Sequence, residues 1–302
     1  MLIVAFLNLI RWKNILLILY MQCIIKFIFF KAYPITETLS NFHFILYVGA
    51  VCLITAGGYV INDIFDIEKY FINKPKKVVI SNGISLKNSK NSYCILTILG
   101  VLFGMLLSFQ IEKPFHSFIF IFIAILLYLY SKYLKSIPLI GNLVIAFLIA
   151  FSILLTPIFD VENYDINYNH DFVSTVIYIV SFIVFFLSFI LEIVKDIEDI
   201  NRDYLLKMNT LPILLGRDRM QKIAVIISLV PSFILMIIIL YIYPENKITA
   251  IYLFVFVLFP LIYSIQKLLT NKSKKGFHKI DTYLKICMFF AIHIFIILSY
   301  FN

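Results

Sequence analysis

The chain has 302 residues, of which 62% are hydrophobic and 14% are charged, and its net charge is +9. A soluble globular domain has about a quarter of its residues charged, so this composition excludes that class. The mean hydropathy of +0.97, with repeated apolar runs of about 20 residues, predicts an integral membrane protein.

Three further features exclude other classes of protein. The four cysteines form no CxxC pair and fall within or beside apolar runs, so neither a zinc site nor a disulfide framework is expected. The first 14 residues place their positive charges after the apolar ones, which differs from a signal peptide. Lysines and aromatic residues do not interleave in a soluble patch, and no nucleic-acid partner is expected. The cysteines are Cys23, Cys52, Cys94 and Cys287.

Hydropathy predicts nine membrane-spanning helices, and Pro34, Pro114, Pro138 and Pro244 fall in the connections between them. No internal repeat is evident apart from the two acidic segments described below. The predicted helices are Trp12–Phe30, Phe42–Ile61, Tyr93–Ile111, Phe115–Tyr133, Leu139–Ile158, Phe172–Val194, Ile223–Tyr243, Ile248–Ile265 and Thr282–Phe301.

The lysines and arginines predict the orientation of these helices. Connections 2–3, 4–5, 6–7 and 8–9 carry most of them, whereas the intervening connections carry only Lys31, Lys113 and Lys247. Basic connections stay on the cytoplasmic side, so the N-terminus and these four connections are predicted to be cytoplasmic. The 5–6 connection, which is acidic and has no base, fits the outer side.

Two acidic segments follow predicted helices 2 and 6, and we call them the first and second motif. The first motif begins NDIFDIEKYFINKP at Asn62, and the second begins KDIEDINRDYLLKMNTLPILLG at Lys195. Asn62 and Asp66 are one helical turn apart, and Asp196, Asp199 and Asp203 would project from one helix face. Residues 63–68 and 192–203 together hold eight of the chain's 17 acids, which is unusual for a basic protein.

This clustering of carboxylates at a cytoplasmic helix end predicts a cation site. Oxygen ligands without His or Cys suit Mg2+ better than zinc. Two carboxylate clusters and many bases at one membrane face are together suited to a Mg2+-bound diphosphate, and apolar helices would accommodate a lipid tail. The corresponding chemistry is loss of diphosphate from an allylic carbon. A solvated acidic helix end is the alternative for either cluster alone.

Both motifs resemble the two aspartate-rich motifs of UbiA-type intramembrane prenyltransferases. RWKN at Arg11, SNGIS at Ser81 and YSKYLKSIPLIGN at Tyr130 resemble other segments of that family. The resemblance implies one all-α membrane domain over residues 1–302, with nine helices in a ring around a central cavity and cytoplasmic cap loops. It also implies a multi-pass protein of the cytoplasmic membrane whose active site faces the cytoplasm.

The resemblance also implies roles for individual residues. Asn62, Asp66, Asp199 and Asp203 would bind the metal, Mg2+. Asp63, Asp196, Tyr130 and Ser131 would be catalytic, the last two on the cavity wall near the reacting carbon. Arg11, Asn14, Lys77, Lys135 and Lys195 would bind substrate, although each lysine could instead serve only to set topology.

Four positions depart from the family pattern. Trp12 stands where proline is usual, Tyr70 where a third Asp is usual, Lys74 where arginine is usual, and Leu191 where many relatives carry arginine. Loss of the third Asp bears on activation of the acceptor more than on metal binding, since the second motif keeps all three acids.

The second motif looks most like the branch that alkylates geranylgeranylglyceryl phosphate. The implied activity is Mg2+-dependent transfer of a geranylgeranyl-type group from a prenyl diphosphate to that lipid-soluble acceptor or a similar glycerol phosphate. The resemblance implies membrane lipids as the surroundings of the protein and no obligate protein partner. Prenylation of an aromatic quinone precursor is the first alternative. A transporter with a cation site and a non-catalytic polyprenyl-lipid binding protein are the others. The acidic residues lie at the ends of the predicted helices and not at the bilayer midplane, which argues against a transporter. Transporters often have broken helices, and Gly57–Gly58 is the one candidate for such a break in this sequence.

Overall fold

The computed structural model of the chain describes residues 2–33, 35–67, 80, 83–161, 168–205 and 209–301. These residues are almost entirely helical and form no β-strand, and their β-type pairing is limited to two isolated bridges. The helices, numbered in chain order, are α1 Leu2–Leu9, α2 Trp12–Ala32, α3 Asn41–Phe65, α4 Leu86–Gln110, α5 Pro114–Lys132, α6 Ile140–Asp160, α7 Tyr168–Leu205, α8 Leu211–Leu215, α9 Arg217–Ile242, α10 Lys247–Thr270 and α11 Lys274–Phe301.

Nine helices in the described part of the chain, all except α1 and α8, are long and apolar enough to cross a membrane. The prediction of an all-α protein with nine spanning helices is therefore confirmed. Its ring arrangement, cap loops and single domain stay predictions. Turns of π-helix interrupt α2 at Ile25–Phe29 and α10 at Phe254–Leu258.

The largest difference from the predicted boundaries is the length of α7. It spans 38 residues and continues through the acidic part of the second motif to Leu205, whereas the apolar run ends at Val194. Hydropathy reports where lipid contact ends, but a helix ends where its backbone hydrogen bonds end. Side-chain pairs three residues apart, such as Lys195 with Glu192, stabilise the polar turns.

The chain divides into two compact units. The first unit comprises residues 1–23, 36–135 and 159–162, and therefore holds α1, α3, α4 and α5. In it, α3 packs closely against α4 and α5. A Cβ on Gly57 would collide with Thr97 of α4, and one on Gly58 would lie 2.9 Å from the side chain of Leu127 on α5. The two glycines thus permit close helix packing within a continuous α3, and they do not break it.

Two other contacts organise the first unit. Leu9 of α1 is fully buried in a cluster with Val60 and Ile84, which fixes α1 beside the end of α3 that carries the first motif. The carboxylate of Asp160, also fully buried, accepts a hydrogen bond from the backbone N–H of Leu39 at 2.8 Å. Asp160 therefore supports the structure of the segment that precedes α3.

The second unit comprises residues 24–35, 136–158 and 163–302. Within it α7 packs against both α9 and α11. The buried amide of Gln221 on α9 donates to the carbonyls of Leu268 at 3.0 Å and Asn271 at 2.6 Å. These bonds satisfy carbonyls that the end of α10 leaves without a helical partner.

Candidate metal and diphosphate motifs

The first motif lies where α3 ends. Asn62 and Asp63 belong to the last turn of α3, and Asp66 caps it, with its N–H donating to the carbonyl of Asn62 at 3.1 Å. Asn62 and Asp66 are therefore one turn apart, as the sequence predicted. Carboxylates at a helix C-terminus face its unfavourable dipole, so nearby cations are expected to stabilise them.

Lys135 is the cation at Asn62 and Asp66. It follows α5 in a short 3-10 turn, and its Nζ donates to Oδ1 of Asn62 at 3.1 Å and lies 2.8 Å from Oδ1 of Asp66. Only 11% of its side chain is exposed, which strengthens the pairing relative to a surface ion pair. The two predicted metal ligands of the first motif thus share one lysine.

Arg11 contacts a second carboxylate of this motif. Its Nη2 lies 3.2 Å from Oδ1 of Asp63, and its guanidinium carbon lies 4.8 Å from the centre of the Tyr59 ring. Arg11 has a φ of 52°, a left-handed conformation that is unfavourable for an arginine. The strained link between α1 and α2 therefore directs Arg11 onto α3, where Tyr59 lies one turn before Asp63.

Asn14 joins the same group, since its Nδ2 donates to the hydroxyl of Tyr59 at 3.1 Å. Two other predicted site residues lie on α5. Tyr130 is half-buried, and Ser131 is 1% exposed and donates its hydroxyl to the carbonyl of Leu127 at 2.8 Å. The structure thus gives Ser131 a partner within its own helix, and the catalytic roles of both residues stay predictions. Lys77, Tyr70 and Lys74 lie outside the described residues.

The acidic residues of the second motif lie on the last turns of α7. At 100° per residue, Asp196, Asp199 and Asp203 fall within an arc of about 60°, over about 10 Å of helix axis. The sequence-based prediction of one carboxylate face is thus met by a continuous helix. Asp203 has only 3% of its side chain exposed, and Asp199 has 25%.

Arg202 contacts two of these three carboxylates. Its Nη1 lies 2.8 Å from Oδ2 of Asp199, and its Nη2 and Nε lie 3.1 Å from Oδ1 of Asp203. A guanidinium presents five N–H donors in a fixed fork, so one side chain can serve both carboxylates. The metal ligands predicted for this motif therefore also share one cation of the chain.

The third carboxylate has a neutral partner. Nδ2 of Asn142, in the first turn of α6, donates to Oδ2 of Asp196 at 2.8 Å. Lys195 is paired with Glu192 at 2.6 Å, and so its substrate-binding role stays a prediction. Two residues of α11 also reach α7, with Lys274 Nζ 3.7 Å from Asp199 and His278 Nδ1 3.6 Å from Glu198.

The donor atoms of both motifs fit Mg2+ in chemical kind. They are carboxylate and amide oxygens, and in the described part of the chain no sulfur or imidazole contacts the predicted ligands directly. Hard divalent cations prefer oxygen. Among the described residues, no three acidic, His or Cys side chains converge as a group that could hold a metal ion. The predicted ligands are directed instead at Lys135 and Arg202.

Among the described residues, three that contact these motifs or belong to them escape prediction from the sequence, namely Tyr59, Asn142 and Arg202. Arg202 counts in the sequence only as a topological charge, although its position between Asp199 and Asp203 is a signal for their shared counter-ion. Asn142 is a polar residue at the start of an apolar run, which is a weaker signal. Tyr59 gives no sequence signal, because its role depends on a contact with α2.

The sequence model of the UbiA prenyltransferase family matches residues 24–292 of the chain. The digeranylgeranylglyceryl phosphate synthase of Methanobrevibacter smithii is 33% identical over 248 residues, which cover 82% of this chain and 83% of that protein. The synthase of the same name from Saccharolobus solfataricus is 34% identical over 244 residues, covering 78% of this chain and 77% of that protein.

Solved structures share the fold. A structure of a digeranylgeranylglyceryl phosphate synthase aligns with a TM-score of 0.69 and 27% identity, over 98% of both chains. A UbiA homologue from Archaeoglobus fulgidus, bound to DMAPP and Mg2+, aligns with a TM-score of 0.61 and 15% identity, over 95% of this chain and 98% of that chain.

Proposed function

Because this chain belongs to the UbiA prenyltransferase family, we propose that it transfers a geranylgeranyl-type group from a prenyl diphosphate to a glycerol phosphate lipid, with Mg2+ as cofactor. The observation that carries the proposal is common to both motifs. Each ends a long apolar helix with paired oxygen ligands that are held by one basic side chain, Lys135 in one motif and Arg202 in the other. Such a group of residues suits a charged, metal-bound head group attached to an apolar tail.

The relatives support a glycerol phosphate acceptor. Those of Methanobrevibacter smithii and Saccharolobus solfataricus are named digeranylgeranylglyceryl phosphate synthases and match most of this chain. An aromatic quinone precursor, the first alternative from the sequence, has no such support among the relatives described above.

Within this proposal, Asn62, Asp66, Asp199 and Asp203 hold Mg2+, and the A. fulgidus homologue bound to DMAPP and Mg2+ supports a role for that ion. The bound ion supplies positive charge that stabilises the departing diphosphate. Lys135 and Arg11 bind phosphate oxygens through charge-assisted hydrogen bonds. Asn14 is proposed to assist Arg11, and Lys77 and Lys195 are proposed to bind phosphate as well.

The transfer breaks the bond between the allylic carbon of the prenyl group and the diphosphate oxygen. The diphosphate leaves with the electron pair of that bond, an acceptor hydroxyl oxygen bonds to the carbon, and the hydroxyl proton passes to Asp63 or Asp196. Asp63 and Asp196 are the proposed catalytic carboxylates, and each is oriented by one partner, Arg11 or Asn142. Tyr130 and Ser131 are proposed to line the cavity near the reacting carbon, where an aromatic face stabilises positive charge.

The chain is an integral membrane protein, and we place its proposed active site at the cytoplasmic face. The support for this orientation is the concentration of lysine and arginine in the connections that follow the even-numbered spans. The proposal therefore predicts that both substrates reach the motifs from that side or from its leaflet.

A product assay tests the function. Purified protein in lipid nanodiscs is given geranylgeranyl diphosphate and Mg2+, with geranylgeranylglyceryl phosphate, 4-hydroxybenzoate or no acceptor, and products are identified by mass spectrometry. The expected result is a digeranylgeranylated glycerol phosphate that disappears in excess EDTA. Prenylated 4-hydroxybenzoate as the main product would instead support the quinone-precursor alternative, and absence of any Mg2+-dependent product would contradict the proposal.

A further inference from the structure

We infer that Arg202 is an internal counter-ion of the second motif. Its guanidinium pairs with Asp199 and Asp203 until a divalent cation displaces it, and it then binds phosphate oxygens of the prenyl diphosphate. The inference rests on the proposed function, because it takes these two carboxylates as metal ligands. It adds a residue whose contacts change between the empty and the loaded protein.

The contacts of Arg202 are directed at the oxygens that a metal would need. Its guanidinium makes three contacts of 2.8 to 3.1 Å, one with Asp199 and two with Asp203. Mg2+ requires oxygen ligands at about 2.0–2.1 Å in a near-octahedral arrangement. A carboxylate oxygen whose lone pairs are directed at a guanidinium is a weaker metal ligand, so the two cations compete for the same acceptors.

The exposed fractions indicate which partner moves. The side chain of Asp203 is only 3% exposed, whereas that of Arg202 is 42% exposed. Arg202 can therefore turn away into the surrounding polar region without disturbing the helix. Once displaced, its guanidinium remains close to the metal site and can bind a phosphate through two parallel N–H···O bonds.

Lys274 of α11, which contacts the same motif, provides the matched comparison. Its ammonium lies 3.7 Å from Asp199, and its side chain is 62% exposed, so the contact is long and solvated. Such surface pairs contribute little to stability or binding. Removing the charge of Lys274 alters the charge of the motif by the same amount as removing that of Arg202, but it frees no carboxylate oxygen.

Metal binding without any diphosphate tests the first half of the inference. The free Mn2+ signal in electron paramagnetic resonance measures binding of Mn2+ alone to the purified full chain. Arg202→Gln is expected to lower the Mn2+ dissociation constant about tenfold, the factor that corresponds to about 1.4 kcal/mol. Lys274→Gln is expected to change it by less than about twofold, because that contact is solvated. Arg202→Lys, which keeps the charge but loses the fork, is expected to lie between wild type and Arg202→Gln.

Binding of a diphosphate analogue tests whether the displaced Arg202 binds phosphate, and here the substitution is expected to weaken binding. The slowly reacting analogue geranylgeranyl S-thiolodiphosphate is titrated calorimetrically at saturating Mg2+. Arg202→Gln is expected to bind it about tenfold more weakly than wild type, which corresponds to about 1.4 kcal/mol. If Arg202→Gln does not fold, Arg202→Lys must show the same two changes, namely tighter Mn2+ binding and weaker binding of the analogue. Unchanged Mn2+ and analogue binding, or weaker Mn2+ binding, would overturn the inference and leave Arg202 with a structural role.

A separate variant distinguishes failure of the inference from failure of the proposed function. Asp203→Asn removes a proposed metal ligand, and it should weaken Mn2+ binding if the second motif binds metal at all. Normal Mn2+ binding by Asp203→Asn would therefore overturn the metal assignment itself, and with it the role of Arg202. Weakened binding by Asp203→Asn together with no effect of Arg202→Gln would overturn the inference alone.

Discussion

The ammonium nitrogen of Lys135 lies 2.8 Å from Oδ1 of Asp66, although the two residues are 69 positions apart and belong to segments that follow different helices. The same nitrogen donates to Asn62 at 3.1 Å. One lysine therefore contacts both predicted metal ligands of the first motif, and in the proposed function it would bind a phosphate once a metal had replaced it there.

Lys135→Gln is expected to raise KM for the prenyl diphosphate about 10- to 100-fold, because a hydrogen bond to a charged group contributes about 1.5–3 kcal/mol. Steady-state kinetics at saturating acceptor measure it. Lys132→Gln is the matched control, since Lys132 is three residues earlier, exposed, and stacked beside Tyr133. Equal effects of the two substitutions would indicate a general loss of positive charge and would contradict a specific role for Lys135.

Tyr59 is expected to position Arg11. Tyr59→Leu removes both the ring beneath the guanidinium and the hydroxyl that accepts from Asn14, whereas Tyr59→Phe removes only the hydroxyl. A cation–π contact at an exposed site contributes about 0.5–1 kcal/mol, so Tyr59→Leu is expected to raise KM for the prenyl diphosphate about two- to fivefold. The effect of Tyr59→Phe is expected to be smaller.

A double-mutant cycle checks that Tyr59 acts through Arg11. In an Arg11→Ala background, Tyr59→Leu should change KM little, because the group that it positions is gone. Effects that add fully in the double variant would mean that Tyr59 supports α3 in some other way, and a lower melting temperature of the single variant would point to packing.

Asp66→Asn and Asp199→Asn are each expected to reduce turnover at least about 100-fold, because each removes a charged ligand from a metal that stabilises the leaving group. Melting temperatures should stay close to that of wild type, as neither side chain packs in the apolar core. Asp218→Asn, at the exposed start of α9, is the control and should keep full activity. Near-normal turnover of either motif variant, or activity in excess EDTA, would disprove the metal assignment.

Cysteine labelling in a background without native cysteines tests the orientation. Lys272→Cys, between α10 and α11, should react with a membrane-impermeant maleimide only after the cytoplasmic side is opened. Glu112→Cys, between α4 and α5, should react in intact cells, because the bases of the chain concentrate in the other set of connections. Both positions are exposed to solvent. The reverse pattern would invert the proposed topology.

Features that depend on local pattern could be predicted from the amino-acid sequence. Apolar runs predict the nine spanning helices, because burying a backbone in lipid requires its hydrogen bonds to be made within the helix. The spacing of Asn62 and Asp66, and of Asp196, Asp199 and Asp203, predicts which side chains share a helix face, because 3.6 residues make one turn. The paired motifs also identified the family, since such spacing is specific when it occurs twice.

The pairing of Asp63, Asp66 and Asp196 with their partners follows only from the packing of the folded chain, whereas Arg202 is close in sequence to the two carboxylates that it contacts. Lys135 contacts Asp66, Arg11 contacts Asp63, and Asn142 contacts Asp196, and each pair is at least 52 residues apart in sequence. No local pattern encodes these pairings, because they arise from how separate helices pack and where their ends come to lie. The extension of α7 beyond its apolar run likewise depends on backbone hydrogen bonding and on ion pairs along the helix, which a hydropathy pattern does not report.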